Sequence, residues 1–376
     1  MRGTPMIVVD GSEHTELRAA VRKLLEHESP LEKVVAHAES DLGFDRDLWR
    51  RLAQEIGVAG LAIPEQFGGI GATAHEQVIV AEELGRSLAC TPFLASVGLA
   101  ANLLLASGDG DACAAYLPAI AAGESTAAVA YRGIDGAVDP QRLPISARAT
   151  GEGWLLSGEA SYVVDGHSAD LLLVLARVED TVGLFAVDAA AVGLTRQRMR
   201  TLDHTRAQAT IRLADVAGSL VGELGAWPWL EAALLRATVL LAAEQVGGAD
   251  VALETAVEYA KLRVQFGRKI GSFQAIKHRL ADVAVENDRA RSSVEHAAWA
   301  AAFGTAEQLQ EAAAMAALVC GPAFVHAAQE SIQVHGGIGF TWEHQAHRYF
   351  RRAKADLVVL QDPAHYPEQL LTVLGV

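Results

Sequence analysis

The longest regular pattern of apolar residues runs from Trp229 to about Ala284 and predicts two long helices joined by a short hinge. In the first helix apolar residues recur at helical spacing, and alanine or valine fills most of the other positions. A helix that is apolar nearly all round belongs inside a bundle rather than at its surface. The hinge at 264–271 supplies two glycines where the first helix should stop, and Ser272 is a candidate N-cap for the second.

The N-terminal third has the spacing of further helices. Residues 12–57 predict two or three amphipathic helices, one of them capped by Asp45. A glycine-rich loop at 61–71 is followed by a helix predicted from Glu76 to Arg86, ending at Gly85. The loop follows no strand and lacks a Lys-Ser/Thr pair, so we interpret it as a structural turn rather than a phosphate-binding loop.

From about Ser125 the pattern changes to short apolar runs of strand length. The predicted strands lie at 126–131, 153–158 (with turns at both ends), 162–164, 170–176, 183–187 and 209–213. Several short strands at this spacing predict a compact antiparallel β domain. Pro228 then opens the C-terminal helices. The fold class is therefore α+β, with helices, then strands, then helices.

Composition narrows the possible functions. A chain of 376 residues that is 51% hydrophobic can bury large cores and holds two or three domains. A net charge of -15 argues against nucleic-acid binding, which needs a basic face. Three scattered cysteines argue against a disulfide framework or a zinc site and favour the cytoplasm. The first residues lack the apolar run of a signal peptide, and charged residues interrupt every apolar segment, so we expect no membrane span.

The hinge also carries candidate chemistry. Arg268, Lys269 and the amide of Gln265 lie in it, beside Arg263 on the last turn of the preceding helix. Clustered donors at a helix junction suit an anion such as a pyrophosphate. The same residues also fit a solvated loop between two helices, and these residues by themselves leave both interpretations open.

Two segments resemble the acyl-CoA dehydrogenase family: Arg263-Val264-Gln265-Phe266-Gly267-Arg268-Lys269-Ile270 with Phe273-Gln274-Ala275-Ile276-Lys277-His278, and Gln333-Val334-His335-Gly336-Gly337-Ile338-Gly339-Phe340-Thr341. The resemblance extends along nearly the whole chain. It implies an N-terminal helical domain (1–124), a middle antiparallel β domain (125–222) and a C-terminal four-helix bundle (223–376). It also implies FAD as cofactor, with these segments holding the adenine and pyrophosphate of a neighbouring subunit's FAD. The residues that match the adenine-side motifs are Arg263, Gln265, Phe266, Gln274, Gln333, Gly336 and Gly337.

The family reaction desaturates an acyl-CoA thioester, and its catalytic base is missing here. A Glu removes the α-proton while the β-hydrogen leaves as hydride to FAD. The family's two positions for that Glu fall at about Leu360 and about Ala237, and neither side chain accepts a proton. The catalytic residue is therefore unknown, and Asp362 and Glu231 are the nearest carboxylates by neighbourhood.

The half of the family site that holds the flavin ring also departs from the pattern. The first β segment reads Ala130-Tyr131-Arg132-Gly133, and the later turn reads Tyr162-Val163-Val164-Asp165-Gly166, where Val164 lacks the family's hydroxyl. Some bacterial members, notably those acting on steroid side-chain CoA thioesters, are α2β2 heterotetramers with one FAD per αβ pair. This chain resembles the subunit that completes the cofactor pocket of a base-carrying partner. Residues 83–88 and 341–344 also resemble the corresponding segments of actinobacterial members of the family.

Three hypotheses follow. The first is a non-catalytic partner subunit of a heteromeric acyl-CoA dehydrogenase, passing electrons to an electron-transfer flavoprotein by family analogy. The second is a homo-oligomeric dehydrogenase with an atypical base such as Asp362. The third is a flavin-free scaffold or acyl-CoA-binding protein that kept the fold and lost the chemistry. Flavin content of the protein expressed alone and with a partner distinguishes the three.

Overall fold

The computed structural model describes residues 11–151, 153–341 and 343–375. The segment 1–10, which contains most of the stretch that argues against a signal peptide, and Trp342 of the 341–344 motif lie outside the described residues. The described part has the predicted order of helices, strands and helices. The N-terminal helices are α1 (Ser12–Glu28), α2 (Leu31–Glu39), α3 (Arg46–Arg51), α4 (Ala74–Ser87), α5 (Asn102–Ser107) and α6 (Gly110–Ala121).

The N-terminal helices begin where local capping allows. Asp45 accepts hydrogen bonds from the backbone N–H groups of Asp47 and Leu48 at 3.0 Å, which confirms it as the N-cap of α3. The expected end of α4 at Gly85 is wrong, because the helix continues to Ser87. A Cβ at Gly85 would lie 2.0 Å from the backbone oxygen of Glu244. Gly85 therefore allows two helices to cross closely and does not stop the helix.

The middle domain is a seven-stranded sheet that curls round until β5 pairs with both β4 and β7. Its strands are β1 (Ala127–Ala130), β2 (Ile145–Thr150), β3 (Gly153–Val164), β4 (Leu171–Val178), β5 (Thr181–Asp188), β6 (Leu194–Arg198) and β7 (Gln208–Val221). Most pairs are antiparallel as expected, but β1 runs parallel to β4, which the sequence pattern does not indicate. The predicted turn at Gly158 is wrong, because β3 passes through a bulge there and continues to Val164. Sequence reasoning missed β2 and β6, which alternate more and less buried residues without a long apolar run.

The C-terminal domain packs long helices around an alanine-rich core. Its elements are α7 (Trp227–Leu262), β8 (Val264–Gln265), β9 (Arg268–Lys269), α8 (Gln274–Phe303), α9 (Ala306–His335), α10 (Ala346–Asp356) and α11 (His365–Leu374). Pro228 lies in the first turn of α7, as predicted. The hinge is a short β-hairpin of β8 and β9, and the residue at the N-cap position of α8 is Phe273. The prediction for Ser272 is wrong, because its hydroxyl turns back to the carbonyl of Lys269.

One helix contradicts the expectation that no segment is apolar enough to span a membrane. The stretch Ala306–Phe340 passes that test by length and composition. Within the protein 61% of its most apolar window is buried, because α9 packs against α7 and α8 in the centre of the bundle. This is the pattern of a core helix in a globular domain.

Candidate functional site

The two motifs that resemble the adenine-binding segments lie at the same end of the helical bundle. Val334, near the end of α9, shares a small apolar cluster with Ala260 of α7 and Leu280 of α8. The hairpin of β8 and β9 follows directly on α7, and the turn of 3₁₀-helix Gly336–Phe340 follows directly on α9. This cluster therefore places the hinge at 264–271 beside the segment Gly336–Phe340.

The polar residues of these two motifs face outward. Arg263, Gln265, Gln274 and Gln333 are all exposed. None of the four side chains has a hydrogen bond or ion pair to another residue that the structure describes. A Cβ at Gly336 or Gly337 would meet nothing within 4 Å, so space is open beside both glycines. The four side chains and this open backbone are available to a group outside the chain. Their role in binding a cofactor stays a prediction.

The tip of the hairpin has a strained backbone. Phe266 and Gly267 occupy its two central positions with φ of 52° and 74°. Positive φ at both positions is the signature of a type I′ turn, which asparagine or glycine normally occupies. Phe266 nevertheless occupies the first position, and its side chain is 92% exposed. An exposed aromatic ring in an unfavourable conformation is a feature of a contact surface rather than of a core.

His335 has a structural environment. Its Nδ1 lies 2.7 Å from the carbonyl oxygen of Ser331, and the side chain is buried. The imidazole packs between the rings of Tyr259 and His344, with centroid distances of 4.5 and 4.2 Å. These contacts hold the end of α9 against α7.

The two family positions for the catalytic base lie in a filled apolar core. Leu360 is 1% exposed and Ala237 is fully buried, and both belong to one cluster that also contains Leu94, Leu99 and Leu234. In the fold this cluster connects the N-terminal helices, the β domain and α7. The positions that the resemblance gives for the base are therefore occupied by packed apolar side chains.

A pair of side chains from the end of β1 binds the backbone of the same segment. The phenol of Tyr131 donates to the carbonyl of Leu360 at 2.7 Å. The guanidinium of Arg132 donates to the carbonyls of Val359 at 2.6 Å and Val358 at 3.2 Å, and to that of Tyr162 at 3.3 Å. Both side chains are buried. Sequence reasoning missed this clamp, which joins residues more than two hundred positions apart, and its one sequence signal is the departure of Tyr131-Arg132 from the family pattern.

The two candidate carboxylates lie in separate clefts. Asp362 is exposed, caps the N–H of Ala364 at 2.9 Å, and lines a cleft of about 590 Å³ with Arg132 and Tyr162. Glu231 is exposed, accepts a hydrogen bond from the indole of Trp227 at 2.8 Å, and lines a different cleft of about 470 Å³. The structure therefore does not bring the two candidates together.

The fold and these motifs are those of an acyl-CoA dehydrogenase, and comparison of the sequence with models of known protein families agrees. Models of the N-terminal and C-terminal domains of acyl-CoA dehydrogenases match residues 11–124 and 225–359. The chain belongs to the acyl-CoA dehydrogenase family, whose members are FAD-dependent oxidoreductases.

Among its relatives are dehydrogenases of actinobacteria. The chain is 37% identical to the acyl-CoA dehydrogenase IpdE2 of Mycobacterium tuberculosis, covering 93% of this chain and 94% of that protein. It superposes with a TM-score of 0.85 and 31% identity on a chain of the Tcur3481-Tcur3483 steroid acyl-CoA dehydrogenase, covering 96% and 98% of the two chains. A chain of the ChsE4-ChsE5 complex of Mycobacterium tuberculosis gives a TM-score of 0.86 at 29% identity, covering 100% and 99%.

Proposed function

We propose that this chain is the subunit of a heteromeric, FAD-dependent acyl-CoA dehydrogenase that completes the FAD site of a base-carrying partner. The partner supplies the catalytic Glu and the pocket for the flavin ring. This chain supplies Arg263, Gln265, Phe266, Gln274, Gln333, Gly336 and Gly337 to the adenine and pyrophosphate end. The substrate is an acyl-CoA thioester, and an electron-transfer flavoprotein accepts the electrons.

The observation that carries the proposal is the contrast between the two halves of the family site. At the adenine end the donors are exposed, unpaired within the described chain and placed beside open glycine backbone, which fits a nucleotide bound from outside. A guanidinium and backbone amides are the usual ligands of a pyrophosphate.

At the other half the residues do not fit a flavin ring and a thioester of the chain's own. Leu360 and Ala237 fill the position of the base, and Val164 offers no hydroxyl. The phenol of Tyr131 and the two terminal nitrogens of Arg132 donate to the backbone carbonyls at 358–360. None of these side chains is a carboxylate that could remove an α-proton, so we assign proton abstraction to the partner.

Two solved structures that resemble this chain are complexes of two different chains, and this supports the proposal. Both are named as pairs of chains, Tcur3481-Tcur3483 and ChsE4-ChsE5, and the first is described as a steroid acyl-CoA dehydrogenase. A steroid side-chain thioester is therefore the first substrate class to test. Given the reducing environment expected from the three buried free cysteines, we place the enzyme in the cytoplasm.

The decisive experiment is flavin content and reduction in the chain expressed alone and with a candidate partner bearing the family Glu. We expect the isolated chain to be colourless and inactive, and the co-purified complex to hold one FAD per pair and to bleach with acyl-CoA under anaerobic conditions. A yellow, acyl-CoA-reducible single chain would support the homo-oligomeric alternative, with Asp362 as the first residue to substitute. Failure to acquire FAD with any partner would support the flavin-free scaffold.

Within the complex, Arg263→Ala tests the adenine-side assignment. Losing a charge-assisted hydrogen bond costs ~1.5–3 kcal/mol, so FAD affinity should fall about tenfold or more. The control is Lys261→Ala, which removes a cation two residues earlier that pairs with Glu258 on the surface of α7. Equal FAD retention in the two variants would refute the role given to Arg263.

A further inference from the structure

A buried cluster of charges lies where the β domain meets the helical bundle. Arg206, in the loop before β7, contacts the carboxylate of Glu244 on α7. Arg352 on α10 contacts Asp203 at 2.7 Å and Glu244 at 3.4 Å. Asp356 ends α10 and lies 3.7 Å from Arg206. All of these side chains are at least nine-tenths buried.

The cluster has more carboxylates than cations. Asp203 and Glu244 are enough to balance the two guanidiniums. Asp165, whose side chain is buried in the turn after β3, is near the same two arginines and also near Arg198. Three cations therefore face four carboxylates, and Asp356 is left over. Burying an unbalanced carboxylate costs several kcal/mol, which a protein avoids by protonating the group or by binding a counter-ion.

Asp356 is also the carboxylate without hydrogen-bond partners. Neither of its oxygens accepts a hydrogen bond from any residue that the structure describes, although the side chain is only 3% exposed. It lines a small, partly open cavity of about 80 Å³, in which Thr238, Gln245 and Tyr366 are the other polar residues among mostly apolar ones. A cavity of this size has room for ordered water beside these polar groups.

We propose that Asp356 is a buried proton-binding site that controls how firmly the β domain is held against the bundle. In the protonated form its O–H donates to a polar group or water in this cavity, and the cluster is closer to neutral. Loss of the proton places an unbalanced charge between the two domains. Asp356 lies two residues before the segment 358–360, whose carbonyls Tyr131 and Arg132 bind, so the charge develops close to that clamp.

The expected pH dependence follows from the charged groups that face Asp356 from each neighbouring element. These are Arg206 and Asp203 from the β domain, Glu244 from α7 and Arg352 from its own helix. Burial raises the pKa of Asp356 to about 7, against the attraction of the two arginines. Burial likewise raises the pKa of Asp165 to about 7. Because the folded state binds these protons more tightly than the unfolded state, stability falls as pH rises from the ordinary aspartate pKa to about 7.

The test is the unfolding equilibrium of the full chain, in its purified assembly, from about pH 5 to about pH 8. For Asp356→Asn we expect the unfolding constant, taken relative to that of the wild type, to fall by at least ~10-fold between the lower and the upper pH. Asp282→Asn, which removes an exposed carboxylate from α8, should leave the pH profile of the wild type unchanged. Asp165→Asn should also make the stability depend less steeply on pH than it does in the wild type.

Two results would overturn the proposal. One is an identical pH slope in wild type and Asp356→Asn. The other is a wild-type stability that depends on sodium or potassium rather than on pH, which would place a metal cation in the cavity. If Asp356→Asn does not fold, the infrared spectrum of Asp165→Asn decides, because this variant lacks the other buried carboxyl group whose pKa is about 7. In that variant a protonated-carboxyl band that disappears as pH rises through about 7 supports the proton site at Asp356, and its absence at every pH refutes it.

Discussion

Restoring a carboxylate at the family's base position should damage this protein rather than activate it. We predict that Leu360→Glu costs most of the stability and gives no dehydrogenase activity in the isolated chain. The reason is that Leu360 lies in the apolar cluster with Leu94, Leu99 and Leu234, where its side chain is packed on all sides.

The magnitude has two parts. Removing a fully buried leucine side chain from the core forfeits ~1.5–3 kcal/mol. A fully buried carboxyl group has its pKa raised by up to ~3–5 units, which at neutral pH costs roughly 4 kcal/mol more to keep in place. The sum of roughly 5–7 kcal/mol approaches the whole stability of many domains, which is ~5–15 kcal/mol.

The assay is guanidinium-induced unfolding at neutral and acidic pH with two matched variants. Leu360→Met preserves volume and apolarity and should cost less than ~1.5 kcal/mol. Leu360→Gln introduces the shape of a glutamate side chain without its charge. A glutamate buried at this position has a raised pKa, and this destabilises the protein only at pH values above the ordinary glutamate pKa. The free energies of unfolding of the Glu and Gln variants should therefore differ by roughly 4 kcal/mol at neutral pH. That difference should vanish near pH ~4.

Two outcomes would refute this reasoning. Leu360→Glu that unfolds at the same denaturant concentration as Leu360→Met at neutral pH would show that the position is open to solvent or substrate. Flavin reduction by acyl-CoA in the isolated Leu360→Glu chain would show that the site lacked only its base.

Two further predictions rest on packing. Gly85→Ala should destabilise the protein by ~3 kcal/mol or more in denaturant unfolding, because its methyl group would meet the backbone of Glu244. The control is Gly110→Ala at the start of α6, where the added methyl group enters open space and the stability should change by less than ~1 kcal/mol. Equal effects would contradict the close crossing of α4 and α7. The three cysteines are buried, and burial raises the pKa of Cys90 to about 12 and also raises that of Cys320. Thiol reagents at mildly alkaline pH should therefore modify none of the cysteines of the native protein and all three after unfolding, and rapid labelling of the native protein would refute the burial.

Local residue types are enough to predict much of the protein. The order of helices, strands and helices follows from hydrophobic period, because a helix and a strand bury faces with different spacing. Asp45 is recognisable as a cap from its own short-range chemistry. The absence of a base at Leu360 and Ala237, and the family motifs around Arg263 and Gln333, are also properties of the residues themselves.

The tertiary structure decided what depends on contacts between distant segments. From the sequence, Gly85 and Gly158 are expected to end a helix and a strand. In the structure Gly85 allows two helices to cross closely, and Gly158 lies in a bulge within β3. The backbone that each glycine contacts is far away in sequence, so the local pattern does not reveal it. The clamp of Tyr131 and Arg132 on 358–360 joins the first strand to the segment after α10. The environment of Asp356 likewise depends on groups from the β domain and from α7. A sequence pattern records the period of one segment, whereas burial and charge balance arise only when separate segments meet.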